Sequence, residues 1–266
     1  MLAKQRQDRI LAEVRRHGGV RVSDLVDLLG VSDMTVRRDL DVLARKGLLD
    51  KVHGGASAPG ARAAEEPGFQ AKSLRELAEK EAIAARAAEL VRPGTAIGLS
   101  AGTTTWVLAR RLCDIAHLTV VTNSIKVAEV LHQAGRPDQS VVLTGGIRTP
   151  SDALVGPLAV SALRTLHLDL VCMGAHGMDE SSGFTTPNLM EAETNRALVR
   201  AARRLVVVAD HTKWGVVGLS SFAAPEEADV LITDSRLPRP AQELMAQRVD
   251  EIVVGDVDAG EEQTGT

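Results

Sequence analysis

The feature that most constrains this chain is an alternation running from residue 96 to residue 254. Seven short apolar runs occur, at 96–99, 118–121, 141–143, 168–173, 205–209, 230–232 and 251–254, and most are separated by stretches of helical spacing. A strand that is apolar along its whole length must be covered on both faces. Strands alternating with helices give a parallel sheet with helices layered on it. The pattern therefore predicts a largely parallel α/β domain, led in by a long helix over about 72–91. A chain of 266 residues with 44% hydrophobic residues has enough apolar material for that core.

The first 58 residues read differently. Ile10, Leu11 and Val14 have helical spacing within 5–17, and Gly18-Gly19 ends that helix. Ser23 is expected to cap a second helix over 24–29, which carries Leu25, Leu28 and Leu29 and is closed by Gly30. Val31 fills the turn. Ser32 caps a third helix running to about Lys46, with Gly47 as its stop. At 100° per residue, Val36, Leu40 and Leu43 share one face of that helix. Met34, Arg38 and Arg45 take the opposite face, flanked by Thr35 and Arg37.

Helices joined by a short glycine-containing turn make a helix-turn-helix. Its second helix enters the DNA major groove with its N-terminal residues against the base edges. Ser32, Met34, Thr35, Arg37 and Arg38 hold those positions here, with Arg45 farther along. Arginine serves there either on guanine or on phosphate. The following LLDKVHGGAS reads as a wing, with Lys51 and His53 before a Gly54-Gly55 turn. An isolated basic helix is more often a solvated face, but here spacing, turn, caps and wing agree on double-stranded DNA as a partner. Charge agrees as well. Residues 1–58 hold 11 Lys+Arg against 8 Asp+Glu, a surplus of +3, while the rest of the chain carries −7.

Residues 57–70 are rich in Ala, Gly and Pro and carry no period. The expected organisation is a winged helix-turn-helix over 1–57, a linker over 58–71, an α/β effector-sensing and oligomerisation domain over 72–256, and a disordered tail over 257–266.

Within the α/β part, AIGLSAGTTTW at 96–106 carries a strand into Gly102 and then into Thr103, Thr104 and Thr105, which open a helix from about Thr104 to Leu112. Unpaired N–H groups and the helix dipole make such a start an anion site. Capping alone would explain one such loop. Here three more polar or glycine loops follow apolar runs: Thr122-Asn123-Ser124, Thr144-Gly145-Gly146 and Gly174-Ala175-His176-Gly177. Ligand crevices of open α/β sheets lie at the carboxyl ends of the strands. The candidate effector residues are accordingly Ser100, Gly102, Thr103, Thr104, Thr105, Thr122, Asn123, Gly145, Gly146, Gly174 and His176. Lys213, in ADHTKW, adds a cation, and Glu193 joins the set from the stretch at 183–197. The expected ligand is a small phosphorylated metabolite.

No cofactor or metal is expected: the seven histidines lack ligand spacing, and Cys113 and Cys172 form no C-x-x-C pair. The charged N-terminus lacks the apolar core of a secretory signal, and no apolar run approaches about 18 residues, so a cytoplasmic protein is expected.

The head resembles that of DeoR-type regulators, a family of bacterial sugar-metabolism transcription factors. Val31, Ser32, Thr35, Val36, Arg37, Arg38, Asp39 and Leu40 match its recognition-helix pattern. Gly47, Leu48, Leu49, His53, Gly54, Gly55 and Ala56 match its wing. LSAGTTT, LTVVTNS, VVLTGG, LVGPLA, MGAHG, GFTTPNLMEAETNRA and VVVADHTKW follow in the family's order over about 74–234. The resemblance implies a sensor fold like that of ribose-5-phosphate isomerase and the CoA transferases. It also implies a sugar phosphate or related effector, and repression as the usual mode. Ser100 stands where the family usually has Asp, and Asn195 where it has Lys, which bears on the choice of ligand. Two other readings remain at this stage. One is a sugar-phosphate isomerase or deaminase using Glu191, Glu193, Asp210 or His176 as a base. The other is a DNA-binding homo-oligomer (dimer or tetramer) without a ligand.

Overall fold

The computed structural model describes residues 2–17, 19–52, 55–57 and 68–257. The chain divides into two units, Met1–Glu65 and Glu66–Thr266. Most of the expected linker (58–67) and tail (258–266), together with His53 and Gly54, lies outside the described residues.

The first unit contains α1 (Ala3–His17), β1 (Gly19–Arg21), α2 (Val22–Leu29), α3 (Asp33–Arg45), β2 (Asp50–Val52) and β3 (Gly55–Ser57). Its core joins Ile10, Leu11 and Val14 of α1, Val22, Leu25 and Leu29 of α2, and Val36, Leu40 and Leu43 of α3, closed by Leu49 and Ala56. The three strands form an antiparallel sheet in the order β1-β3-β2, so the wing hairpin is extended by a third strand, β1, too short to be foreseen from residue pattern. Ser23 does not cap α2. The helix starts two residues earlier than expected, at Val22, and the Ser23 hydroxyl turns to Asp24 Oδ1 at 3.0 Å.

The second unit contains α4 (Phe69–Ser73), α5 (Leu77–Ala88), β4 (Ala96–Leu99), α6 (Thr103–Leu112), β5 (Thr119–Thr122), α7 (Ile125–Gln133), β6 (Ser140–Leu143), β7 (Ile147–Arg148), β8 (Leu154–Val155), α8 (Pro157–Leu163), β9 (Leu170–Gly174), β10 (Gly177–Asp179), β11 (Gly183–Thr186), α9 (Leu189–Ala201), β12 (Leu205–Val208), β13 (Ser220–Ala223), β14 (Val230–Asp234), α10 (Arg239–Met245) and β15 (Glu251–Gly255). All seven apolar runs enter one parallel sheet, in the order β15-β14-β12-β9-β4-β5-β6. Successive side chains of a strand point to opposite faces, and the core divides accordingly. Leu170, Cys172, Val206, Val208, Val230 and Ile232 pack with α5, α6 and α7 on one face. Val171, Met173, Val207 and Leu231 pack with α8, α9 and α10 on the other.

Three expectations are corrected. The long helix over 72–91 is broken: α4 ends at Ser73 and α5 begins at Leu77, with Glu76 between them at φ 48°. α4 also occupies part of the stretch read as linker, with Phe69 buried edge-on against Trp106 at 5.8 Å between ring centroids. Thirdly, the run at 168–173 starts its strand at Leu170, Leu168 making only an isolated bridge to Ala202. The antiparallel sheet β10-β11-β13 and the β7-β8 hairpin were not expected, because their strands are short and several are polar.

Candidate DNA interface and effector site

Ser32 is the N-cap of α3. Its hydroxyl accepts from the Thr35 amide at 3.4 Å and lies 2.9 Å from the Thr35 hydroxyl. With Val36, Leu40 and Leu43 buried, the other side of the helix is presented outward. Met34 is 76% exposed, and Arg37, Arg38 and Arg45 are exposed as well. Thr35 is half-buried. Arg37 folds back on Asp33 one turn earlier, at 2.5 and 3.2 Å, which raises the guanidinium pKa and lowers that of the carboxyl through their hydrogen bonds. Arg38 is exposed and makes no such pair among the described residues. Lys51 lies in β2.

The periodicity did not anticipate Asp39, which is buried beneath α3. Arg6 of α1 donates to its Oδ2, and Gln7 donates to its Oδ1 at 3.1 Å. A charged residue directly after two arginines gave no sign from spacing alone that it faces inward.

In the second unit, the loops at the carboxyl ends of β4, β5, β6 and β9 are stitched together by short polar side chains. Ser100 Oγ accepts from Gly174 N at 3.0 Å, joining the ends of β4 and β9. Thr122 Oγ1 donates to Leu99 O at 2.7 Å and accepts from Ser124 N at 3.0 Å. Asn123 Oδ1 accepts from Ala101 N at 2.9 Å, while its Nδ2 donates to Leu154 O at 3.2 Å. Thr144 N donates to Thr122 O at 3.0 Å, bringing Gly145 and Gly146 to the same edge.

Gly102 is the N-cap of α6, so the helix opens at Thr103, one residue earlier than expected. Thr103 and Thr104 line that first turn, nearly buried. The Thr105 hydroxyl is turned inward, donating to Ser100 O at 2.7 Å, and so holds the loop. The first N–H groups of a helix have no acceptor within it. Together with the positive end of the α6 dipole, they leave an anion-receptive point among these loops. His176 is half-buried on the loop after β9, its amide donating to Thr185 O at 3.0 Å.

Glu193 is not part of this arrangement. It is exposed on α9, and Glu191, two residues earlier, takes the inner position, accepting from Thr149 Oγ1 at 2.8 Å and Thr186 Oγ1 at 3.0 Å. Asn195, one helical turn after Glu191, is buried.

Lys213 belongs to a second cluster, after β12 and β14, most of whose members are far apart in the chain and meet only in the fold. Its Nζ lies 3.8 Å from Asp210 Oδ2. Lys80 of α5 is only 3% exposed, and its ammonium donates to the carbonyls of Lys72, at 2.9 Å, and Arg75. Burial pushes the Lys80 pKa down to about 8, with repulsion from Lys213 adding to the shift and Asp210 opposing it. Burial alone would raise the Asp210 pKa, but Lys213, the Thr212 hydrogen bond, Lys80 and His211 together hold it below the ordinary carboxylate value. His211 receives the opposite treatment. Burial lowers its pKa, but Asp234, 3.0 Å from Nδ1, together with Asp210 and Glu76 more than offsets this, and the net shift is upward.

Residues 6–61 match the DeoR-like helix-turn-helix domain and residues 75–235 the DeoR C terminal sensor domain. The chain is 38% identical over 244 residues to the HTH-type transcriptional regulator GlpR of Haloferax volcanii, covering 91% of this chain and 94% of that one. It is 37% identical to the regulator GolR of Listeria innocua, covering 89% and 92%. It is 30% identical to the glycerol-3-phosphate regulon repressor of Escherichia coli, covering 90% and 93%. Among solved structures, a ribose-5-phosphate isomerase in complex with phospho-erythronic acid aligns with TM-score 0.38 at 16% identity, over 51% of this chain and 52% of that one. No described helix is long and apolar enough to cross a membrane. With both halves matched in order and relatives covered almost end to end, the chain belongs to the DeoR family of DNA-binding transcriptional regulators.

Proposed function

We propose that this regulator represses genes of carbohydrate metabolism and leaves its operator when a phosphorylated sugar or related intermediate binds the α/β unit. The observation that carries the reading is the division of α3: Val36, Leu40 and Leu43 turned into the core, Arg37 and Arg38 turned out. A helix so fixed can lay its arginines along the major groove. Ser32, Met34, Thr35 and Arg45 complete the proposed contact face, with Lys51 and His53 contributing from the wing.

The α6 start, with Gly102, Thr103 and Thr104, is proposed to take the effector's anionic group. Ser100, Thr105, Thr122, Asn123, Gly145, Gly146 and Gly174 shape the surrounding loops, and His176 and Lys213 approach from neighbouring strands. The proposed organisation keeps 1–57 as head, 58–71 as connector and 72–256 as sensor. Sensor domains associate as a dimer or tetramer, setting two heads at the spacing of operator half-sites. The effector favours an arrangement that misplaces them, and it can shift that equilibrium only by its difference in affinity between the two states. The setting is the cytoplasm, on the nucleoid when DNA is bound. The regulatory names carried by the relatives support this reading over catalysis on the same fold.

The test is a DNA-release assay. Promoter DNA from genes neighbouring this one is bound to the full-length protein, and phosphorylated intermediates of the encoded pathway are added one at a time. Release by one of them, at a concentration that also raises the melting temperature of the protein, is the expected result. Release by none contradicts the reading.

A further inference from the structure

Strand β6 ends the large parallel sheet, and no described strand pairs with its outer side. A parallel pair bonds through alternate residues of each strand. Ser140 N donates to Leu118 O at 2.8 Å and Thr144 N to Thr122 O at 3.0 Å, so residues 140, 142 and 144 turn their amides to β5. The N–H and C=O groups of Val141 and Leu143 therefore point away from the sheet. The side chains are open as well, on both faces: Val141, Val142 and Leu143 are 36%, 42% and 44% exposed.

Edge strands are ordinarily blunted by a charge, a proline, a bulge or a covering element. β6 reads SVVL and keeps an unbroken register with β5, so it has none of the first three. The opposite edge differs. β15 opens on the exposed Glu251, and its next three residues are half-buried. There α5 comes so close that a Cβ on Gly255 would stand 2.9 Å from the Ala82 backbone. One edge is closed within the chain and the other is left open.

We propose that β6 pairs antiparallel with β6 of a second copy of this chain, across a two-fold axis at Val142, joining the two parallel sheets into one. In this register Val141 faces Leu143 of the second copy, and Leu143 faces its Val141. Each is a pair that exchanges both N–H···O=C bonds, and Val142 meets its own copy at the position between them, with Cα atoms about 4.5 Å apart. The strand is thus its own complement. An isologous contact of this kind closes on two chains and leaves no edge for further growth.

The surface available matches a dimer. Ile147, 59% exposed, and Met190, 41% exposed, lie about 4 Å from where a Cβ on Gly156 would stand, and they continue the apolar surface beyond the strand. With the three residues of β6 they offer on the order of 300 Å² of apolar surface, the greater part of what a standard interface of about 800 Å² per partner requires. Backbone pairing and the α7 helices, which pack on β6, supply the rest. The proposal gives a place to the association of sensor domains inferred above, and it rests on that reading for the need to hold two heads together.

Val142→Lys and Val142→Glu are the discriminating variants. Position 142 is half open in the single chain, and in the dimer each charge meets itself across the axis, where like charges directly opposite repel. The full-length proteins are compared by sedimentation equilibrium, alone and as an equimolar mixture. The expected result is that each variant alone has half the native mass, and that mixing the two restores it. A monomeric native protein overturns the interface, as does native mass in either variant or a mixture that stays at half mass. Should the charged variants melt well below the native protein, Val142→Cys serves as the second test. Its paired Cα atoms would fall within disulfide range, so mild oxidation is expected to link two chains through position 142, and absence of that link overturns the register. These masses are independent of any metabolite. Metabolite-driven release of DNA by a protein whose Val142→Lys form keeps its native mass overturns the interface alone. The expected masses in a protein that no metabolite releases overturn the sensor reading alone.

Discussion

Asp39 of the recognition helix is held from beneath by Arg6 of α1, an ion pair buried in the head, while its neighbour Arg38 stands exposed one residue away. The pair fixes the rotation of α3 about its axis, and so decides which residues the helix offers to DNA. Removing one partner of a buried pair leaves the other charged and unpaired. Asp39→Ala is therefore expected to lower the melting temperature of the head and to abolish operator binding together, with the α/β unit unaffected. Circular dichroism melting beside a DNA-binding isotherm checks this. A variant that melts normally yet fails to bind would give Asp39 a direct role at the interface instead.

Arg38 and Arg37 differ in their surroundings: Arg37 shares its charge with Asp33, and Arg38 does not. Each phosphate neutralised contributes about 0.9 to the salt slope of binding. Arg38→Ala should lower that slope by about one and weaken binding to all sequences alike if it meets phosphate, or relax specificity at one position if it meets a base. Asp33→Asn should strengthen binding at low salt, since it removes an anion from the face that meets the duplex. Anisotropy titrations from 50 to 200 mM salt measure both. An unchanged slope and affinity in Arg38→Ala would take Arg38 out of the interface.

Gly145 and Gly146 stand together in sequence but not in constraint. Both have positive φ, 72° and 125°. A Cβ on Gly145 meets nothing within 4 Å, whereas one on Gly146 would lie 2.5 Å from Val155 O and 2.9 Å from Val155 N, where β7 and β8 pair. Gly145→Ala should cost about 1 kcal/mol of backbone strain. Gly146→Ala should cost that and more, because backbone must move. Urea denaturation of the two variants ranks them, and equal losses would contradict the contact with β8.

Legibility in the sequence followed the physics of each element. The inner strands announced themselves because burial on both faces demands continuous apolar side chains, as in LVVV at 205–208, whereas the edge strand β6 is apolar in sequence yet exposed. The helix-turn-helix was legible because Val36, Leu40 and Leu43 keep a 3.6-residue period. The strands of β10-β11-β13 were not, since GFTT and SSFA carry no such pattern. The break at Glu76 was hidden as well: QAKSLRELAEKEAIAARAAEL runs through it with strong helix formers on either side, and only the left-handed residue, which propensity does not foresee, divides α4 from α5. In the candidate site, loops next to strand ends could be found by position. Glu193 and Glu191 could not be told apart without the phase of α9, and Lys80 joins Asp210 only through the tertiary fold, 130 residues of sequence apart.

Lys80 also makes a pH prediction. Its pKa is about 8 in the folded protein against 10.5 unfolded. Between those values the unfolded chain binds more protons than the native one, so the Lys80 contribution to stability rises with pH from about 8 to 10.5. A shift of this size corresponds to something on the order of 3 kcal/mol. Denaturant unfolding at pH 7.5 and pH 10 should show the native protein gaining relative to Lys80→Met, which lacks the titrating amine. A pH-independent difference between the two would mean that the ammonium is better solvated than its burial implies.

The most direct test is selection of bound fragments from the protein's own genome by the intact regulator at low salt. Enrichment of a few promoter fragments, lost in Arg38→Ala and reversed by a phosphorylated metabolite, is the predicted result. Uniform recovery of all fragments, with or without metabolites, would contradict the assignment of α3 as a DNA-reading helix.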